Sequence, residues 1–323
     1  TNVPAFVESY VADRGDSERV ASLNEKIEWC ESRDESEDGD GEEDPQFPRP
    51  LSTFLDDRDR ATEIAETLLD LQRDDGTFPY DPKGRHADFR EEWSSYWRPL
   101  GQPGETDLGL CVPEAATLIL AGRETGDETY VDAGLEALDA ARQFDKPAGD
   151  DWWETPIHGP NLFAAGKAAI AYELAHEETG DESYRADARY WLRALLPFTH
   201  LWQPHEIEMR YCTKPCLVST AWYLSDWTER FVQWEVLSVF AMADRLGLDL
   251  AAVDEDIDWN RYRAGITSAV LDWIIDSRDD DLLYEFQFPR EEIAAGEWDG
   301  LYADTFHPVD EIYGGGPITP DVI

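Results

Sequence analysis

The chain has 323 residues, enough for one large domain or two modest ones, and 42% of them are apolar, enough for a packed core. Its 71 Asp and Glu stand against 27 Lys and Arg, a formal net charge of −44. No basic stripe is left for a nucleic-acid backbone, and thirteen each of Trp, Tyr and Phe argue against a disordered acidic chain.

Acidic charge at this density destabilises a compact state by self-repulsion. In molar salt the Debye length falls to about 3 Å and most of that repulsion is screened. With only five lysines, at 26, 83, 146, 167 and 214, the chain reads as a halophilic protein. Its setting is high salt, either the cytoplasm of a salt-accumulating organism or the outside of the cell. Four cysteines in so long a chain do not make a disulfide scaffold. Cys212-x-x-x-Cys216, with His200 and His205 nearby, is half a zinc pattern; with no second close pair it predicts no metal. No cofactor is expected, and no apolar run is long enough for a membrane span.

In chain order, residues 1–56 read as an N-terminal helical segment, with a helix over 17–31 (Val20, Leu23, Ile27, Cys30) and an acidic loop over 31–49. A helix over 57–72 (Ala61, Ile64, Leu68, Leu71) leads into "QRDDGTFPY". Helices follow at 105–122 and 127–143, at 161–177 and 182–198, and then at 229–245 and 258–276. The tail from 278 reads as irregular or β-rich, leading toward a further domain, with the Gly run at 314–316 as loop.

One phrase is written twice. Glu124–Tyr130 (ETGDETY) and Glu178–Tyr184 (ETGDESY) lie 54 residues apart and differ at one position. Gly126 and Gly180 suit the left-handed conformation that ends a helix, and Asp127 and Asp181 suit the cap of the next. Each copy is therefore the turn of an antiparallel helical hairpin, one unit used again. The turns after 122 and 176 are short, whereas the connections 73–104, 144–160 and 199–228 are long. In a ring of hairpins the short turns share one face and the long loops the other. The most apolar helices (105–122, 161–177, 229–245) would form the inner ring, and those with a single stripe (127–143, 182–198, 258–276) the outer ring. The expected fold is all-α, an α/α toroid over 57–277, complete or incomplete, with 278–323 as a tail.

The long loops collect tryptophans, among them Trp93, Trp97, Trp152, Trp153, Trp222 and Trp227. They line a cleft or plug the ends of the barrel. Indole faces beside acids suit the apolar face and hydroxyls of a sugar. Hydrolysis of a glycoside needs two carboxyls across the scissile bond, for which Glu154 and Glu208 are the candidates. Elimination from a uronate needs a base and a group that neutralises the carboxylate. His158, Arg210 and Tyr211 would serve it, with Asn161 beside them. Glu206, Asp226 and Glu235 complete the expected substrate-binding set. Dinucleotide, phosphate-loop and serine-hydrolase motifs are absent from the sequence.

"DWWETPIHGPNLFAAGKAAIAYELAHEETGDESYRADARYWLRALLPF" (151–198) with "PCLVSTAWYLSDWTERFVQWEVLSVFAMADRLG" (215–247) resembles a bacterial and archaeal group related to the six-hairpin glycosidase superfamily. "LLDLQRDDGTFPY" (68–80) is similar to the helix-end motif of toroids generally, terpene cyclases and prenyltransferases included. The likeness implies a toroid that hydrolyses or eliminates glycans, and it matches no catalytic motif residue by residue. A toroid with a β-rich tail also resembles the heparinase-like polysaccharide lyases. The reading that results is a glycoside hydrolase acting on a poly- or oligosaccharide. A polysaccharide lyase and a non-catalytic glycan-binding or scaffolding toroid are its alternatives. An isoprenoid toroid is disfavoured, because no DDxxD or DxDD pattern occurs.

Overall fold

The computed structural model describes residues 9, 17–34, 57–80, 101–149, 157–159, 162–198, 233–272, 276–278, 295–296, 301–307 and 311–317. Among these residues the protein is all-α apart from one hairpin, with nine helices packed as antiparallel pairs. They are α1 (Ser17–Asp34), α2 (Arg58–Leu71), α3 (Leu108–Thr125), α4 (Glu128–Ala141), α5 (Leu162–Thr179), α6 (Glu182–Arg193), α7 (Gln233–Arg245), the single turn α8 (Leu250–Val253) and α9 (Trp259–Asp272). None of them is long and apolar enough to cross a membrane.

The repeated phrase is the stop and start that its residues dictate. Gly126 and Gly180 end α3 and α5 at φ of 74° and 68°, where other residues are strained. Their N–H groups close on the carbonyls of Gly122 (2.8 Å) and His176 (2.7 Å). Asp127 then accepts the N–H of Thr129 at 2.9 Å, and Asp181 that of Ser183 at 2.8 Å, capping α4 and α6. The threonines join in: Thr125 and Thr179 bond back to the carbonyls of Ala121 and Ala175, both at 2.7 Å, and their hydroxyls accept the N–H of Asp127 and Asp181. The device recurs after α7 with a different spelling. Gly247 takes φ of 75°, and Asp249 caps α8 through the N–H groups of Ala251 and Ala252.

The pairs stack side by side. α3 packs on α4, α5 on α6, and α7 on α9, while α2, α3, α5 and α7 follow one another as neighbours. Every residue of α5 from Leu162 to Ala175 is buried, Ala165 and Ile170 among them. α6 buries one stripe only, Tyr184, Ala188, Trp191 and Leu192. The split between all-round and one-sided helices is the one the apolar pattern predicts. Small residues let the helices approach. A Cβ on Gly134 of α4 would lie 2.8 Å from the Ala115 carbonyl of α3, and one on Gly166 of α5 would lie 2.1 Å from a Val239 methyl of α7. Tyr172, fully buried, donates its hydroxyl to the Leu138 carbonyl at 2.8 Å and so fixes α5 to α4. α1 packs against α9.

Four expectations are corrected. The helix expected from 105 begins at Leu108, because Asp107 is extended and caps it. α1 runs to Asp34, so the acidic stretch begins as helix and not as loop. The helix expected over 182–198 ends at Arg193, and a separate 3-10 turn covers Leu196–Phe198, where Pro197 has no N–H to continue the ladder. The Gly run at 314–316 is not loop. It lies in β2 (Glu311–Pro317), antiparallel to β1 (Leu301–His307), with Gly316 opposite Tyr302 and Gly315 opposite Ala303. A strand ladder is made by backbone groups, which glycine supplies as well as any residue.

Candidate functional site

α3 is 18 residues long, so its two ends lie roughly 27 Å apart. The Gly126 turn is at its C-terminus, and the described ends of the 73–104 and 144–160 connections meet at its N-terminus. Three stretches converge there. The turn 72–80 runs beside 101–107 through paired backbone bonds, Tyr80 N–H to the Glu105 carbonyl at 2.6 Å and Gly104 N–H to the Tyr80 carbonyl at 2.9 Å. Arg73 also donates to the Gly104 carbonyl. The third stretch comes from the 144–160 connection, where the Ala148 carbonyl accepts the Gly109 N–H at 2.7 Å. Gly149 takes φ of 92°, and a Cβ there would lie 2.8 Å from the Asp107 Cβ. Ile157, buried, packs against Gly101.

This convergence brings His158 onto two carboxylates. Asp107 caps α3, its Oδ1 accepting the Leu108 N–H at 2.8 Å, and its Oδ2 lies 2.7 Å from His158 Nδ1. The Asp107 side chain is 10% exposed, whereas the imidazole is 57% exposed. Nδ1 therefore donates inward to Asp107, and Nε2 is the nitrogen available for chemistry. On that side Glu105 Oε1 stands 3.7 Å from Nε2, while its Oε2 accepts the Gln102 N–H at 2.7 Å. The Asp107 hydrogen bond raises the His158 pKa above its ordinary value, with help from the charges of Asp107 and Glu105 and against the cost of burial. Beneath the cluster Cys111 is buried, its thiol 3.4 Å from the Thr106 hydroxyl and its pKa pushed up by burial. The arrangement is an exposed imidazole held by a buried carboxylate, able to take or give one proton at a fixed atom.

Of the residues that the sequence singles out, His158 is placed in this cluster. Glu154, Glu208, Arg210, Tyr211, Trp93, Trp97, Trp152, Trp153, Asn161, Glu206, Trp222, Asp226 and Trp227 lie outside the described residues, as do Cys212 and Cys216. Glu235 lies on α7, whose side chains are described only from Val239 onward. Asp107 and Glu105 are the residues that sequence reasoning misses. The available signal was an Asp immediately before an apolar helix, and that signal reads as a cap, which Asp107 also is. Among the described residues no group of three or more His, Cys, Asp and Glu could hold a metal ion. The chain matches no protein-family model, no curated protein and no solved structure.

Proposed function

We propose that this chain is a halophilic α/α-toroid enzyme that hydrolyses a poly- or oligosaccharide, with His158 as the base that takes a proton from the attacking water. The observation that carries the reading is the 2.7 Å contact between His158 and buried Asp107 at the end of α3 where the described ends of the 73–104 and 144–160 connections meet. An imidazole oriented in this way is a proton-transfer group, and a group of that kind contributes about 10²–10⁴-fold to rate. As water oxygen bonds to the anomeric carbon, its proton passes to Nε2. The glycosidic C–O bond breaks, and the leaving oxygen takes a proton from a carboxylic acid, the role for which Glu154 and Glu208 are the candidates. The side-by-side row of hairpins supports a toroid, and the packing of α1 against α9 extends that row. Elimination is the second reading, favoured by the same imidazole, which could instead take the C5 proton of a uronate.

The test measures turnover on a broad glycan panel, scoring reducing ends for hydrolysis and ultraviolet absorbance of an unsaturated product for elimination. His158→Ala should lower kcat by about 100-fold or more with little change in Tm. Asp107→Asn removes the hydrogen-bonded charge that raises the His158 pKa, so the acidic limb of the pH–rate profile should move to lower pH. Wild-type turnover in His158→Ala sinks the reading. A wild-type protein that binds one glycan and cleaves none is the non-catalytic glycan-binding protein instead.

A further inference from the structure

We propose that Glu105 is the second arm of the reaction centre, a positioning residue that holds the reacting oxygen against His158 Nε2. The proposal rests on the hydrolytic reading above and names the species which that site binds, a water molecule. Nε2 and Glu105 Oε1 are 3.7 Å apart, beyond the length of a direct hydrogen bond. A single oxygen fits between polar groups at such a separation, here about 2.8 Å from each. The protonation pattern fixes what that oxygen is. With its Nδ1 proton donated to Asp107, neutral His158 offers a lone pair at Nε2, and Glu105 offers only acceptors. The bridging oxygen must donate to both sides, and water has two protons to give. Its lone pairs then point away from both partners. A sugar hydroxyl, with one proton, satisfies only one arm.

The other Glu105 oxygen shows why the carboxylate is held. Oε2 accepts the Gln102 N–H at 2.7 Å, and the segment that carries it is splinted by Arg73 and Tyr80. The "QRDDGTFPY" turn thereby sets the position of an acid 25 residues downstream of Tyr80. Glu105 stays 37% exposed on the side chain, open to the same solvent as the imidazole.

Two measurements test the proposal. A high-resolution crystal structure of the wild-type protein should show an oxygen within hydrogen-bond distance of both Nε2 and Oε1. A direct Nε2–Oε1 hydrogen bond in its place overturns the proposal, whether or not any glycan is cleaved. Glu105→Gln keeps an oxygen for the Gln102 N–H and turns an amide donor toward the bridge, so the fold is retained and one acceptor is lost. Its kcat should fall about 10- to 100-fold, with KM little changed and Tm held. The acidic limb should move to lower pH, because the Glu105 charge helps to raise the His158 pKa. Wild-type kcat in Glu105→Gln, alongside an inactive His158→Ala, overturns the role of Glu105 and leaves the hydrolytic reading standing. Wild-type kcat in both variants removes both.

Discussion

Asp107 and Asp254 are the same side chain in similar burial, 10% and 0% exposed, and the chain uses them in opposite ways. Asp254 follows α8 and meets a permanent cation. Arg193 grips it with two bonds of 2.7 and 2.6 Å, and the Trp259 indole N–H adds a third at 3.4 Å. Asp107 meets a titratable ring that is more than half exposed. Where the partner is a guanidinium, both carboxylate oxygens are consumed and nothing is left to react. Where it is an imidazole, the carboxylate orients one nitrogen and leaves the other outside. In a chain with 71 acids, burial alone does not mark a site; the partner and its exposure do.

The two pairs also respond to pH with opposite sign. The Arg193 hydrogen bonds hold the Asp254 pKa below its ordinary value. Its contribution is present above the unfolded pKa and lost as pH falls through the folded one. His158 is raised, so its contribution is present below the unfolded pKa and lost as pH rises through the folded one. Asp254→Asn is the sharpest way to press the comparison, and its effect on stability should be the largest. It takes the charge from the buried end of two Arg193 hydrogen bonds, while the part-exposed guanidinium keeps Asp256 at 2.7 Å. The loss should be about 2–3 kcal/mol, read by denaturant melting, with turnover intact on the surviving fold. Asp107→Asn should show the reverse, a small loss of stability and an altered pH–rate profile. Equal stability losses would erase the distinction drawn here.

Packing gives the next effect in size. Gly166→Ala would drive a Cβ to 2.1 Å from a Val239 methyl, with further contacts at 2.9 and 3.0 Å in the same side chain. Overpacking of this kind costs about 2 kcal/mol. Adding Val239→Ala should return part of it, because the clash is with one side chain. If Gly166→Ala melts as wild type, α5 and α7 are looser than their contact implies, and the array carrying the site is less rigid than supposed.

The helices were legible in the sequence, because each carries its own period and its own stop. Ala61 and Leu68 or Tyr184, Ala188 and Trp191 announce a buried face without reference to anything distant, whereas Leu71, expected on the same stripe as Ala61, is 52% exposed at the helix end and Ala65 takes its place in the core. The turns were legible for the same reason: Gly126 and Asp127 act on the residues beside them. The Gly247–Asp249 turn escaped notice because its letters differ while its geometry is the same. The site was legible by one member. His158 stood out as a rare residue in a long connection, but its partner Asp107 is 51 residues away and already explained as a cap. Spacing along the chain says nothing about a pairing made by three converging segments. Glu105 was hidden twice over, as one acid among many and as part of a stretch expected to be helical.

The smallest effects belong to the end of α3 and α5 opposite the cluster, where acids serve only the fold. Arg123 bonds Glu178 at 2.8 Å, approaches Glu177 at 3.4 Å and donates to the Leu174 carbonyl, tying one short turn to the next. These charges are partly exposed, so Arg123→Met should cost roughly 0.5 kcal/mol at low salt and less in molar salt, where such pairs are screened. Asp127→Ala with Asp181→Ala removes the acceptors of the Thr129 and Ser183 N–H groups at sites open to water, which replaces them in part. Those same N–H bonds hold both carboxyl pKa values below the ordinary range. The caps therefore contribute above the unfolded pKa and lose that contribution as pH falls through the folded one. The double variant should melt a few degrees below wild type at neutral pH and converge with it in acid. Its turnover should equal wild type, since α3 separates these turns from His158 by roughly 27 Å. Loss of turnover at unchanged Tm would place the reacting groups at the short-turn end and remove His158, Asp107 and Glu105 from the mechanism together.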